Sequence, residues 1–515
     1  MIACALCVAS GFLLILPFPS HDVEFLAWIA LVPLFLAIRG KTPLASYLLT
    51  TFTGLIFFVG IFYWIKSMGV WNWIEFELAI GFLAITLGIF GAGIAVMSRC
   101  RFAPLIVTAP ALWVTVEYLR GHAGFLSLPW GLLGHSQYLN VPILRIASWG
   151  GVFAVSFLIV MVNACLAEFV QTSITHYVEK PVEKPIVTGL AFKAFAVIVV
   201  VGTCLYYGLS IDSAPAPSEA IRLSVIQGNI PQDAKWKPEL KGQHLAKHIG
   251  LTREVMTKDH PDLVVWPELS VQGRLHRDVG LNRAMTGLSK EIQTHLLIGT
   301  SQSGKSGGTP LSRKDYNSAV LLTPRGMIGG QYDKIVLLPF AEYLPHSDLI
   351  AWPSRYVAQD DTIPGNSYTI LTLGGHRFAA LICWETIFPE HVRQFVVNGA
   401  EFLVNMTNEA WFGDTAAPYQ FLSMNVLRAA ENGIAIARAA NTGVSAVIGP
   451  SGRILGKVSS GPRDTFVDGF LTVDVPTRKE LTFYSEHGDV FVWLCMLASG
   501  VFLTYCLTLG KRGSA

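Results

Sequence analysis

Three polar residues stand at apparent strand ends, and together they can do covalent chemistry. Glu268 follows Asp262-Leu263-Val264-Val265-Trp266-Pro267, Lys334 follows Gln331-Tyr332-Asp333, and Cys383 follows the run Phe378 to Ile382. A thiolate is the nucleophile of cysteine chemistry, and a free thiol, with a pKa of about 8.5, is mostly protonated at neutral pH. A carboxylate in a partly dry pocket can take its proton. A nearby ammonium can lower the thiol's pKa and stabilise an oxyanion. Taken singly, each residue has a plainer reading: Glu268 as a helix cap, Lys334 as a solvated turn residue, Cys383 as an inert core thiol. As a set they favour a Cys383 nucleophile. Glu342, in Leu338-Pro339-Phe340-Ala341-Glu342-Tyr343, is a fourth candidate, either pairing with Lys334 or lying on a surface loop. Trp384 and Glu385 follow Cys383, placing the thiol between an aromatic ring and a carboxylate.

Cys383 is the only cysteine of the polar region; Cys4, Cys7, Cys100, Cys165, Cys204, Cys495 and Cys506 lie in or beside apolar stretches. No disulfide framework can form around it. His346, His376 and His391 are the nearest histidines in sequence, in no distinctive context, and no His/Cys/Asp spacing suggests zinc. No cofactor is expected.

One motif points elsewhere. Gly299-Thr300-Ser301-Gln302-Ser303-Gly304-Lys305-Ser306 fits the phosphate-loop pattern GxxxxGK[ST] after a predicted strand. That loop needs a helix next, whose N-terminus holds the phosphates. Gly307-Gly308-Thr309-Pro310 follows instead and breaks helices, so a hairpin loop is expected.

The elements that must position these residues read as α/β. Strands are predicted at 221–227, 262–266, 295–300, 317–323, 327–332, 377–382, 402–406, 435–440 and 443–449, and helices at 239–258, 278–294, 389–398 and 418–431. Several strands are nearly all apolar, such as Phe402-Leu403-Val404, which predicts a layered domain with sheets covered on both faces. Ala214-Pro215-Ala216-Pro217-Ser218 reads as the linker into it.

The rest of the chain belongs in lipid. Of 515 residues, 52% are hydrophobic and 14% charged, against about 25% charged in average soluble domains. Membrane spans are predicted at roughly 2–18, 25–39, 45–65, 77–97, 103–119, 149–169, 188–208 and 489–509. The division is a membrane domain over 1–210 with seven spans, a catalytic domain over 211–488, and a last span with its tail over 489–515. With the N-terminus inside, Arg39, Lys41, Arg99, Arg101, Lys180, Lys184, Lys511 and Arg512 fall on the cytoplasmic side, against Lys66, Arg120 and Arg145 outside. That asymmetry predicts both termini inside and the polar domain outside. Glu117 and Arg120, one turn apart, are expected to pair. Phe125 to Leu144 is apolar but too broken for a span, and reads as an interfacial or re-entrant segment, or simply a loop. The net charge of +2 and the absence of a long basic tract argue against nucleic acid.

Trp266-Pro267-Glu268, Tyr332-Asp333-Lys334 and Ile382-Cys383-Trp384-Glu385 resemble the three signature segments of the nitrilase (carbon–nitrogen hydrolase) superfamily. Gln227-Gly228-Asn229-Ile230-Pro231-Gln232 through Lys235-Trp236, Asn405-Met406-Thr407-Asn408 and Ala410-Trp411-Phe412-Gly413 extend the resemblance to the apolipoprotein N-acyltransferase family, over essentially the whole chain. The resemblance implies an α-β-β-α sandwich on a multi-span membrane domain, in a bacterial inner membrane with the sandwich on the periplasmic side. It implies transfer of an acyl chain from a phospholipid, typically phosphatidylethanolamine, through a thioester on Cys383 to the amine of a diacylglyceryl-cysteine on an apolipoprotein. Glu268 would be the base, Lys334 the oxyanion partner, Glu342 and Glu385 supporting carboxylates, and Trp236, with Trp384 and Trp411, substrate-side aromatics. The family often has Tyr where Trp384 stands, so the aromatic face remains here but the hydroxyl is lost. Two rivals remain: a membrane-tethered amidase with the same triad, and a membrane scaffold or transporter carrying an inert domain.

Overall fold

The structure, a computed structural model, describes residues 1–68, 73–100, 103–176, 184–212, 219–303, 315–351 and 362–509. The expected linker 214–218, the motif residues 304–306, and the loop and tail charges Arg101, Lys180, Lys511 and Arg512 lie outside these. The chain divides into two compact units. One comprises Met1–Ala214, Thr415–Ser423 and His487–Ala515; the other comprises Pro215–Asp414 and Met424–Glu486.

In the apolar unit, five helices among the described residues are long and apolar enough to cross a membrane: Pro43–Met68, Phe76–Met97, Ala147–Ile174, Thr188–Ser210 and Val490–Thr508. Ile2–Ile15 and Leu105–Gly121 are shorter helices of 14 and 17 residues. The stretch 25–39 is not one helix. A 3-10 turn, Glu24–Trp28, gives way to a seven-residue helix, Val32–Ile38, with a proline in its first turn. Asn163 of helix Ala147–Ile174 closes the gap: its carbonyl oxygen accepts from Leu31 N at 2.8 Å, and its amide donates to Ala27 O at 2.9 Å. In a medium without water, a broken helix is tolerated only where such partners meet its freed backbone groups.

The segment 125–144 follows the same rule. It is a chain of short turns, with Leu133–Gln137 buried. The expected Glu117–Arg120 ion pair is not formed among the described residues. Glu117 instead accepts from Leu133 N at 2.7 Å, and Arg120 donates to the carbonyls of Trp130 and Gly131 at 3.0 and 3.4 Å. Both side chains are spent on backbone that has no ladder of its own. Glu117→Leu should therefore orphan the Leu133 amide and lower stability by about 1–3 kcal/mol. A melting temperature in detergent equal to wild type would refute this role.

Among its described residues the polar unit has thirteen strands: β1 (Ala220–Gln227), β2 (Leu263–Val265), β3 (Val271–Arg274), β4 (His295–Ser303), β5 (Asp315–Leu322), β6 (Ile328–Asp333), β7 (Leu371–Leu373), β8 (His376–Ile382), β9 (Phe402–Thr407), β10 (Ala435–Ala440), β11 (Ala446–Ile448), β12 (Ile454–Lys457) and β13 (Gly469–Pro476). They form two mixed sheets, ordered β13-β1-β2-β4-β5-β6 with β3 beside β4, and β12-β11-β10-β9-β8-β7. The central strands β1, β2 and β4 run parallel, as do β8, β9 and β10. Every residue of β9 and β10 is buried, as strands covered on both faces must be. β1 packs against β10 across the sandwich.

Helix Lys241–Lys258 buries His244, His248, Thr252 and Val255, a four-four-three spacing that makes one face. Val255 joins Met285, Leu288 and Ile292 of helix Val279–Ile292 over the first sheet, against Ile226, Val264, Leu296 and Val320. Asp278 caps the second helix, its carboxylate accepting from Leu281 N at 2.9 Å. The result is the expected α-β-β-α sandwich.

Candidate active site

Each of the three chemistry-bearing residues is delivered by the C-terminal end of a strand. β2 leads through Trp266, whose indole N–H donates to Thr252 Oγ1 at 2.9 Å, to Glu268. The Glu268 carboxylate is held at both oxygens, by Asn317 Nδ2 at 2.8 Å and by the Asn408 amide at 2.9 Å. Gly299 makes this turn possible. A Cβ there would lie 2.5 Å from Pro267 O and 2.8 Å from Glu268 Cα, inside contact distance of backbone that cannot move aside. Gly299 therefore stands inside β4, paired with Ala319, and the phosphate-loop pattern begins in a strand.

Lys334 follows β6 directly, tied by its own amide to Asn317 O at 2.9 Å. Its side chain is 2% exposed. The ammonium meets Glu342 Oε2 at 2.8 Å and Glu342 Oε1 at 2.9 Å, with Glu268 Oε1 at 3.6 Å. Asn317 also donates to Glu342 at 3.2 Å, so one amide and one ammonium hold the two carboxylates together. Burial alone would lower the Lys334 pKa; the charges of Glu342 and Glu268 reverse that and push it well above the usual lysine range.

Cys383 directly follows β8 and opens the 3-10 turn Cys383–Ile387, with φ of +56°. A non-glycine residue there is strained and persists only where its surroundings impose it. Asn405 Nδ2 supplies part of that hold, donating to Cys383 O at 3.1 Å. Burial pushes the thiol's pKa well up, Glu268 and Glu342 push it further, and Lys334 and the Thr407 hydroxyl oppose them. The thiol rests protonated, with a carboxylate and an ammonium acting on it: the parts needed for a base-activated nucleophile. Of the histidines, His376 faces Glu401 at 2.9 Å and His391 faces Glu385 at 3.3 Å.

Residues 10–165 match the family profile described as the apolipoprotein N-acyltransferase N-terminal domain, and residues 222–476 match that of carbon-nitrogen hydrolase. A protein of Geobacter metallireducens named apolipoprotein N-acyltransferase is 35% identical over 96% of this chain and 93% of its own. The chain belongs to the apolipoprotein N-acyltransferase family. A second relative of that name, from Sinorhizobium medicae, is 31% identical over 84% of this chain and 82% of its own.

In this family member Glu385, two residues past Cys383, is fully buried. Oε1 accepts from the Tyr332 hydroxyl at 2.7 Å and from the Ile335 and Val336 amides at 2.8 and 3.0 Å; Oε2 accepts from the Ile382 amide at 2.7 Å. One carboxylate thus ties the end of β8 to the chain leaving Lys334. Trp384 repeats the tie, its indole N–H donating to Val336 O at 2.7 Å. The indole that stands where the family often has tyrosine thus makes a hydrogen bond of its own, and the ring is 7% exposed. Trp236 and Trp411 are the open aromatics, 47% and 39% exposed.

Several residues that build the site carried no assigned role in the sequence. Asn317, Asn405, Asn408 and Thr407 are buried in or just past apolar strands. Arg438, fully buried on β10, donates to Val444 O at 3.1 Å and to both Asn405 Oδ1 and Glu409 Oε1, steadying the amide that holds Cys383 O. Lys235 is also buried, 3% exposed, with its ammonium 3.0 Å from Glu268 O. A polar residue inside an apolar run was the available signal for the asparagines; Lys235 had none beyond standing next to Trp236.

Proposed function

We propose that this chain takes an acyl chain from a phospholipid onto Cys383 and passes it to the amine of a diacylglyceryl-cysteine at an apolipoprotein N-terminus. The observation that carries the reading is the Lys334 ammonium, held between Glu342 and Glu268 and acting on the same thiol. Glu268 takes the thiol proton, and the thiolate adds to the ester carbonyl. Lys334 offsets the oxyanion, and collapse expels the lysophospholipid alkoxide, which takes the proton back from Glu268. The thioester then meets the acceptor amine. Glu268 removes the amine's proton, the C–N bond forms, the C–S bond breaks, and the thiol is restored. Family membership supports lipoprotein N-acylation as the overall outcome; the donor, the thioester and these roles are the finer reading.

The same reading has seven spans before the polar unit and one after it. Both termini are cytoplasmic and the site lies on the outer face of the inner membrane, where lipid-anchored donor and acceptor both reside. The excess of Lys and Arg in the predicted inner loops supports that sidedness.

The test is intact mass of the detergent-purified protein after incubation with phosphatidylethanolamine, wild type against Cys383→Ala. A hydroxylamine-sensitive gain of one acyl chain on wild type alone is expected. An adduct that survives in Cys383→Ala would sink the thioester; an adduct with phosphatidylglycerol but not phosphatidylethanolamine would correct the donor.

A further inference from the structure

Lys235 is the buried charge that the acyl-transfer scheme leaves unused. It ends the four-residue helix Gln232–Lys235 after β1, and its side chain is sealed from solvent. The one hydrogen bond of its ammonium among the described residues is to Glu268 O at 3.0 Å, with no ion pair there. Burying an ammonium against one neutral carbonyl and the Trp236 ring, whose centroid lies 5.8 Å away, is costly. A fold that needed only a hydrogen-bond donor at this place would be better served by a neutral side chain, so the charge itself calls for a reason.

The surrounding charges supply one. Cys383 is faced by Glu268 from the end of β2, by Lys334 and Glu342 from the segment after β6, and by the Thr407 hydroxyl from β9. Lys235 is faced by Glu268, by Cys383, and by His244 and His248 from helix Lys241–Lys258. Burial first, and then the lysine, lower both imidazoles' pKa, so they remain neutral beside it. Gln272 of β3 donates to Lys235 O and fixes its backbone. Without Lys235, two carboxylates share one ammonium, and the cluster is already negative before the thiol ionises. With it, the cluster is neutral, and the thiolate forms against balanced charge.

We propose that Lys235 is a positioning residue of the acyl-transfer site: its ammonium pins the backbone of Glu268 and supplies the second positive charge against which Cys383 gives up its proton. This rests on Cys383 being the nucleophile.

Burial pulls the Lys235 pKa down to about 8, with Glu268 and Cys383 resisting. That value gives the test its signature. Alkylation of Cys383 by iodoacetamide is followed by peptide mass on the full-length protein in detergent, from pH 6 to 10, with single-turnover acylation by phosphatidylethanolamine alongside. Lys235→Met should react about tenfold more slowly than wild type near pH 6–7. The ratio should fall toward one above about pH 9, because the wild-type lysine then loses its own proton. Lys235→Arg, charged throughout, should not show this convergence with Lys235→Met. A wild-type to Lys235→Met ratio that is the same at every pH, or equal to one, overturns the proposal and leaves at most a structural hydrogen bond. Lys235→Gln replaces Lys235→Met should the latter unfold. Convergence of the alkylation curves in a protein that takes no acyl chain would keep this role for Lys235 and sink the acyl-transfer reading instead.

Discussion

Glu268→Gln is expected to slow acylation of Cys383 by about 10³-fold while making the Cys383 thiol more acidic. The two effects have opposite origins. In the proposed scheme the carboxylate is the proton acceptor, and Asn317 and Asn408 hold it so that it points one way. It is also a negative charge that raises the thiol's pKa. Glutamine keeps the shape and removes both. Lys334→Met should lose a similar factor, about 10²–10³, with the thiol shifted the other way. The methionine withdraws a cation that lies 2.8 Å from Glu342 and 3.6 Å from Glu268. Alkylation against pH reads the thiol and single-turnover acylation reads the chemistry. Mere disturbance of folding would depress both readouts in both variants and could not move the two thiols in opposite directions. Shifts of the same sign would show that Glu268 and Lys334 are not the base and counter-charge of this thiol.

What the sequence disclosed follows from range. The apolar run ending at Cys383 is a local pattern, and β8 stops where that run does. Glu268 and Lys334 were legible for the same reason, each one or a few residues past a strand. The membrane helices are likewise local, but 25–39 is not, because its break is repaired by Asn163, more than a hundred residues away. β3, β7, β12 and β13, absent from the expected strands, lie at sheet edges or off the main strand path, short or only half-buried, and their pairing partners rather than composition define them. Lys235 is the extreme case. A lysine in a short polar helix reads as solvated, and its burial is created by Glu268, His244 and Gln272 from three other elements. Asn317 likewise stands in an apolar strand, and its importance lies in two carboxylates 25 and 49 residues distant.

Glu385→Gln should cost the fold more than it costs the chemistry directly. Four donors converge on this carboxylate, from Tyr332, Ile335, Val336 and Ile382, in a site closed to solvent. An amide can accept on one side only; its NH₂ must face either the Ile382 amide or the trio on the other oxygen. At about 1–3 kcal/mol for each buried donor left unmet, the loss is a large share of a typical 5–15 kcal/mol stability. The same pins set the distance between Cys383 and the segment carrying Lys334, so acylation should fall together with stability. Acid gives an independent check. Burial alone would raise the Glu385 pKa, but the nearby His391 and the hydrogen bonds it accepts more than offset this, and the pKa is lowered. A carboxylate depressed in the folded state stabilises fully above its unfolded value, about 4.3, and that stability is lost as pH falls through and below it. Wild type should therefore lose melting temperature on acidification across that range, and Glu385→Gln, already low at neutral pH, should lose less. A variant that melts with wild type at pH 7, or whose acid limb has the wild-type slope, would show that the Tyr332, Ile335, Val336 and Ile382 donors do not depend on this carboxylate.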